Sequence, residues 1–258
     1  MKLTLKKLSI IFLILPFLFT DIAFAGEERA DEKSVFSILY FSQLPSSHND
    51  VVVPMLENWK KQNSESVVIA MADEVLLKNK VLLDKVDILC LRQGILENLA
   101  LSSEVFENHA DKIFNGNVVP TFALDYQTTV KMVELNSETI LHLVNMTYIE
   151  NIDNLLRRYN LYKLNDFSFL FKKLKPNKRN IVVVISDSPL EELNFLLNSS
   201  ASLFDMIINV IAIDGQMEIL KTNGKTAFHG LPNGQIGILN LNFTEAKGYF
   251  WKWHSKSF

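Results

Sequence analysis

The chain reads as an α/β protein with two units behind an export leader. Three observations predict this. Short runs rich in β-branched and aromatic residues alternate with stretches of helical period. A strand–loop–helix–strand plan occurs twice, in "LYFSQLPSS" (39–47) and "VVISDSPLE" (183–191). A basic stretch, 157–179, lies between the two copies and sets the boundary. Duplication and shared strand–turn–helix grammar both account for the pair.

Residues 1–25 have the form of a targeting segment. Lys2, Lys6 and Lys7 precede the apolar run "LSIIFLILPFLF", and "AFA" ends at Ala25 as a small-x-small cleavage pattern. The run is shorter than the roughly 20 residues a membrane helix needs, and Pro16 interrupts it. An uncleaved anchor is the alternative. The mature chain is expected to be periplasmic or secreted.

Composition narrows the function. Apolar residues make up 48% and charged residues 21%, which describes a folded domain. Without the leader the net charge falls from −3 to about −5, the wrong sign for a general nucleic-acid binder. The single cysteine, Cys90, has no partner within the chain for a disulfide. It lies in "VDILCLRQGIL", so a buried small hydrophobe is one reading and a thiol activated by Arg92 the other.

In chain order, "SVFSILYFS" (34–42) predicts a strand. Val52, Met55, Leu56 and Trp59 give the next segment one apolar helical face, with Pro54 inside it. "SVVIAMAD" (66–73) predicts a second strand. Residues 74–115 read as a helical insert, whose middle, "KVDILCLRQGI", fits helix or strand equally. "NVVPTFALD" (117–125) and "TTVKMVEL" predict a hairpin, and "SETILHLVNMTYIENIDNLLRRY" a helix capped by Ser137. Eight cationic side chains fall within 157–179, a basic hinge or a surface for an acidic partner.

The second, smaller unit, 180–258, opens with the strand "NIVVVISD" and a helix capped by Ser188, with Pro189, Glu191 and Glu192 in its first turn. "MIINVIAID" completes a βαβ unit. Asn223-Gly224 marks a hairpin, and "GQIGILNLN" a last strand. The tail 249–258 mixes Tyr249, Phe250, Trp251, Trp253 and Phe258 with Lys252 and Lys256. It suits peripheral membrane contact, a partner's groove, or a terminal strand or helix.

The order strand–loop–helix–strand–helical insert–"VVPTF"–hairpin–helix, over about 34–150 of an expected domain 34–156, resembles the thioredoxin fold. It looks most like periplasmic thiol-disulfide oxidoreductases and isomerases, on the strength of "YFSQLPSSHNDVVVPMLENW" and "VVPTFALD". "VVVISDSPLEELNFLL" is similar to thioredoxin-like pilus-assembly proteins of conjugative type IV secretion systems. The family's Cys-x-x-Cys falls at Leu44–His48, where this chain has no sulfur, so thiol–disulfide exchange is excluded there. What the resemblance still implies is a groove for an extended peptide. Leu44, Pro45, Ser46, Ser47 and His48 would line it opposite Val119 and a cis Pro120. Pro120 merely starting a strand is the plainer reading.

The five histidines show no metal-ligand spacing, there is no phosphate loop, and no cofactor is expected. Ser46 and Ser47 beside His48 read as helix caps more readily than as nucleophile and base. The expected function is a non-catalytic, exported binding or scaffold protein, or a peptide-binding chaperone. It would serve envelope assembly, as in a secretion or conjugative pilus apparatus. The alternative is an atypical oxidoreductase using Cys90. "NMT" (145–147), "NSS" (198–200) and "NFT" (242–244) would be glycosylation acceptors in a eukaryotic secretory setting.

Overall fold

Two sheets carry the molecule, and the first is completed by strands from the far end of the chain. The computed structural model describes residues 35–42, 49–122, 127, 129–153, 155–163, 166–199, 203–213, 216–232, 234–243 and 249–257. The expected leader, 1–25, lies outside the described residues. One five-stranded sheet holds β1 (Val35–Phe41), β2 (Ser66–Met71), β3 (Ile88–Cys90), β12 (Gln235–Phe243) and β13 (Tyr249–Ser257), in the order β13-β12-β1-β2-β3. β1, β2 and β3 run parallel, and β12 lies antiparallel to both β1 and β13.

The six-stranded sheet holds β5 (Lys131–Glu134), β6 (Thr139–Met146), β8 (Arg179–Ser186), β9 (Met206–Ile213), β10 (Glu218–Thr222) and β11 (Lys225–Pro232). Its order is β10-β11-β9-β8-β6-β5, with β6, β8, β9 and β11 parallel. A small ladder joins β4 (Val118–Pro120) to β7 (Tyr159–Leu161).

The inner faces of the two large sheets share one core. Phe36, Ile38 and Leu241 from one side join Ile181, Val183, Ile185 and Phe228 from the other. Trp251 stands edge-on to Phe228 at 4.9 Å, and Tyr40 accepts a 2.7 Å hydrogen bond from Trp253 Nε1. Gly237 lies opposite Tyr40, and a Cβ there would strike the Tyr40 ring. Flanking the first sheet is α1 (Asn49–Gln62), which buries Val52 and Leu56. Short helices α2 (Glu74–Lys78), α3 (Lys80–Leu83), α4 (Gln93–Glu97) and α5 (Leu99–Asn108) follow. Against the second sheet, α7 (Leu190–Asn198) buries Leu193, Leu196 and Leu197, and α6 (Ser168–Phe171) buries Leu170.

Most predicted strands are present, as are α1, the βαβ unit β8–α7–β9 and the hairpin at Asn223 (φ 52°) and Gly224 (φ 77°). The predicted two-unit division is not what forms. Residues 34–258 make one compact unit, because β12 pairs with β1 and β8 pairs with β6 across the expected boundary. The basic stretch 157–179 holds β7, α6 and the first residue of β8, within that unit. The hairpin expected after Asn117 does not close either: β4 pairs with β7, and β5 pairs with β6. The expected helix from Ser137 is instead β6, every residue of which is buried. A strand covered on both faces carries apolar residues on both and loses the alternation that marks a strand in sequence. At α7 the cap position falls on Pro189, and the Ser188 hydroxyl bonds elsewhere.

One buried polar cluster ties the sheets together. Asn145 near the end of β6 accepts from Leu91 N–H (2.9 Å) and from Asn115 Nδ2 (2.9 Å), and donates to the Ile185 carbonyl (3.1 Å). Thr147 Oγ1 donates to the Leu91 carbonyl (3.1 Å), and Asn115 Oδ1 accepts from the N–H groups of Asn117 (2.9 Å) and Val118 (2.7 Å). Asn115, Asn145 and Thr147 are almost wholly buried. Asn145 is therefore closed to a glycan. Replacing Asn145 by Ala strands the Leu91 N–H, costly to leave unpaired when buried, and removes the side-chain bonds to the Ile185 carbonyl and Asn115. Urea unfolding of Asn145→Ala should show a loss of about 3 kcal/mol, whereas Asn198→Ala, at an exposed position, should lie within about 0.5 kcal/mol of the parent.

Candidate functional site

In open α/β sheets ligands bind beyond the carboxyl ends of parallel strands. Here the ends of β1, β2 and β3 face those of β6, β8 and β9 across a crevice, because the Asn145 cluster holds Leu91 against the second sheet. Ser42 follows β1, Asp73 follows β2, Arg92 follows β3, Tyr148 follows β6 and Asp187 follows β8.

Arg92 spans the gap. Its Nη2 donates to Ser42 Oγ (2.8 Å) in the first sheet and to the Val210 carbonyl (3.1 Å) in the second. Its Nε is buried and has no hydrogen-bond partner among the described residues. Burial lowers the guanidinium's pKa, while the charges of Asp187 and Asp73 oppose that shift. Asp187 Oδ1 accepts the Tyr148 N–H (3.0 Å). Burial pushes the Asp187 carboxyl up to about 6, with the Tyr148 N–H and Arg92 pulling the other way.

The turn that carries Asp187 is pinned from behind. Ser186 Oγ donates to the Met146 carbonyl (3.1 Å) and meets Ser188 Oγ at 2.6 Å. Asn209 Nδ2 bonds the Ser188 carbonyl (2.8 Å) and His229 Nδ1 (2.8 Å). The Ser188 carbonyl requires a donor, which fixes the amide's orientation. His229 Nδ1 is then an acceptor, and the neutral ring carries its proton on Nε2. Burial lowers the pKa of His229, favouring that neutral form.

Cys90 ends β3 and is fully buried. Burial, and after it the charge of Asp187, pushes its thiol up, so it stays protonated. Next to the crevice, Gln93 Oε1 accepts the Glu150 N–H (2.6 Å) at an open recess of about 690 Å³. Glu97, Asn151, Ile152 and Asp153 complete its lining.

The sequence-predicted groove residues divide in two. Leu44, Pro45, Ser46, Ser47 and His48 lie outside the described residues. Val119 stands opposite Asn160 in the β4–β7 ladder, flanked by bonds from Tyr162 N–H to the Asn117 carbonyl and from Thr121 N–H to the Arg158 carbonyl. The Val119–Pro120 bond is trans, correcting the cis expectation. This strand belongs to neither large sheet. Sequence reasoning missed the approach of Arg92 to Asp187 across the crevice. Its only signal was that Asp187 directly follows a strand and Arg92 lies two residues past the end of another.

No protein-family model and no curated protein sequence matches the chain. Solved structures do. The chain is similar to Thermus thermophilus sulfate thiohydrolase SoxB, solved in complex with glycerol, at 10% identity and a TM-score of 0.61. The match covers 85% of this chain and 56% of that one, so this chain spans a little over half the length of SoxB. A hypothetical protein from Thermus thermophilus is similar at 10% identity and a TM-score of 0.50, over 86% of this chain and 100% of that one. At such identities the likeness is one of fold, a mixed α/β arrangement.

The Asp187 geometry has a pH signature. A carboxyl raised to about 6 in the fold stabilises the protein below its unfolded pKa, and that contribution is lost as pH rises through the folded value. Asp187→Asn should therefore gain stability relative to the parent between about pH 4 and pH 6, with a constant difference above about pH 7. Urea midpoints of both proteins across this range test it; parallel curves would refute it.

Proposed function

We propose that this chain is an exported, non-catalytic binding or scaffold protein of an envelope assembly. The observation that carries this reading is the seat of Arg92. The crevice where an α/β enzyme would present reactive groups is bridged by the chain's own guanidinium, bonded to both sheets. Ser42 Oγ spends a lone pair on that cation and has no base beside it among its described contacts. A thiol route has no support either, because the Cys90 sulfur is buried and protonated.

The SoxB-like fold does not argue for hydrolysis, since folds of one architecture host unrelated activities. Export rests on the leader sequence, and an envelope partner on the export. Of the peptide groove first expected around Val119, the part opposite Asn160 is already filled by the chain's own β7. Membrane attachment through the tail is not retained, because Trp251 and Trp253 turn toward the core.

Two measurements test the proposal. In an insulin-reduction assay with dithiothreitol the purified protein should match the blank, and Cys90→Ser should change nothing. Chemical cross-linking in the native envelope should give a discrete adduct with one exported protein. Insulin turnover that disappears in Cys90→Ser, or no adduct at all, would overturn it.

A further inference from the structure

The outer edge of the five-stranded sheet is β13, a nine-residue strand with no neighbour on its far side among the described residues. Over Trp251–Ser257 such an edge offers a row of backbone donors and acceptors to an incoming strand. Its two faces differ. Tyr249, Trp251 and Trp253 face the core opposite Phe243, Leu241 and Leu239, yet all three rings stay only half-buried at the sheet's margin. Lys252, His254 and Lys256 lie on the other face and are exposed. Lys221 of the neighbouring sheet sits 4.9 Å from the Trp251 ring, on the core-facing side.

We infer that β13 is a docking edge for an extended, acidic segment of a partner protein, added as a sixth strand. This rests on the binding-protein reading above and names the surface and the partner's chemistry. The added strand would alternate. Apolar side chains would cover the open flanks of Trp251 and Trp253. Carboxylates would fall beside Lys252 and Lys256, since a strand's side chains alternate between faces. Main-chain hydrogen bonds would supply affinity and the lysines the preference.

A second copy fits the edge badly. Antiparallel self-pairing over the full strand, centred on Trp253, gathers Lys252 and Lys256 of both copies on one face, and the register shifted to His254 sets Lys252 directly opposite Lys256; like charges so placed across strands are destabilising. Edge lysines of this kind oppose self-association while leaving an acidic partner free to pair.

The test uses the purified protein and a labelled ten-residue peptide alternating Glu and Val, read by fluorescence anisotropy. The Glu peptide should bind about tenfold more tightly than its Lys counterpart, and added salt should weaken it. The double variant Lys252→Glu, Lys256→Glu should reverse the preference. Amide exchange in β13 should slow when the Glu peptide is bound. Equal binding of both peptides, an unchanged preference in the double variant, or unslowed β13 amides would overturn the proposal. Concentration-dependent dimers in sedimentation that exclude the peptide would overturn it in favour of a second copy. If replacing Glu27, Glu28, Asp31 and Glu32 by Lys were needed before the peptide bound, the occupant would be the chain's own acidic segment, which also overturns it. A cross-linked envelope partner without peptide binding would sink the β13 edge alone. Insulin turnover lost in Cys90→Ser would sink the reading beneath it.

Discussion

Asn145 is the side chain on which the rest of the molecule depends. It sits where the second sheet meets the loop after β3, and it bonds the backbone of both. A buried amide has two donors and two acceptor lone pairs to place, so it tolerates only arrangements that satisfy them. Asn115 and Thr147 complete the network, and through Asn117 and Val118 it also fixes where β4 starts. Apolar packing alone would press the two sheets together without deciding how far one slides along the other. The amide network decides it.

That fixed register produces the crevice. With Leu91 held against β6, the next residue, Arg92, reaches Ser42 on one side and the Val210 carbonyl on the other. Its charge then lies near Asp187, whose turn is braced by Ser186, Ser188 and Asn209. A buried cation and a buried carboxyl oppose each other's desolvation only in part. The carboxyl stays raised for that reason. The crevice thus holds Arg92 bonded to both sheets, and on the far side of the first sheet β13 is the last strand among the described residues.

Local grammar made much of this legible. β1, α1, β2, β8, α7 and the turn at Asn223-Gly224 announced themselves through β-branched runs, helical period and positive-φ turn residues. β6 did not, because burial on both faces removes period-two alternation, and "TILHLVNM" then reads equally as helix. Pro120 drew attention through a family pattern, yet its strand pairs with β7 in a ladder of its own. The candidate site was the least legible part. Ser42, Arg92 and Asp187 are far apart in sequence and follow three ordinary strands, so nothing local joins them.

The sequence by itself determined the features whose information is local: where most strands and helices begin, the count of one cysteine and the lack of Cys-x-x-Cys. Only the tertiary structure decided that the two expected units are one. Strand order is set by which edges find partners, and β12 found β1 roughly two hundred residues away while β6 found β8. A strand's own residues specify that it needs neighbours and which face must be covered. They do not specify which neighbour lies nearest once the chain has closed, and so neither the crevice bridged by Arg92 nor the outer edge of β13 was written in any one stretch.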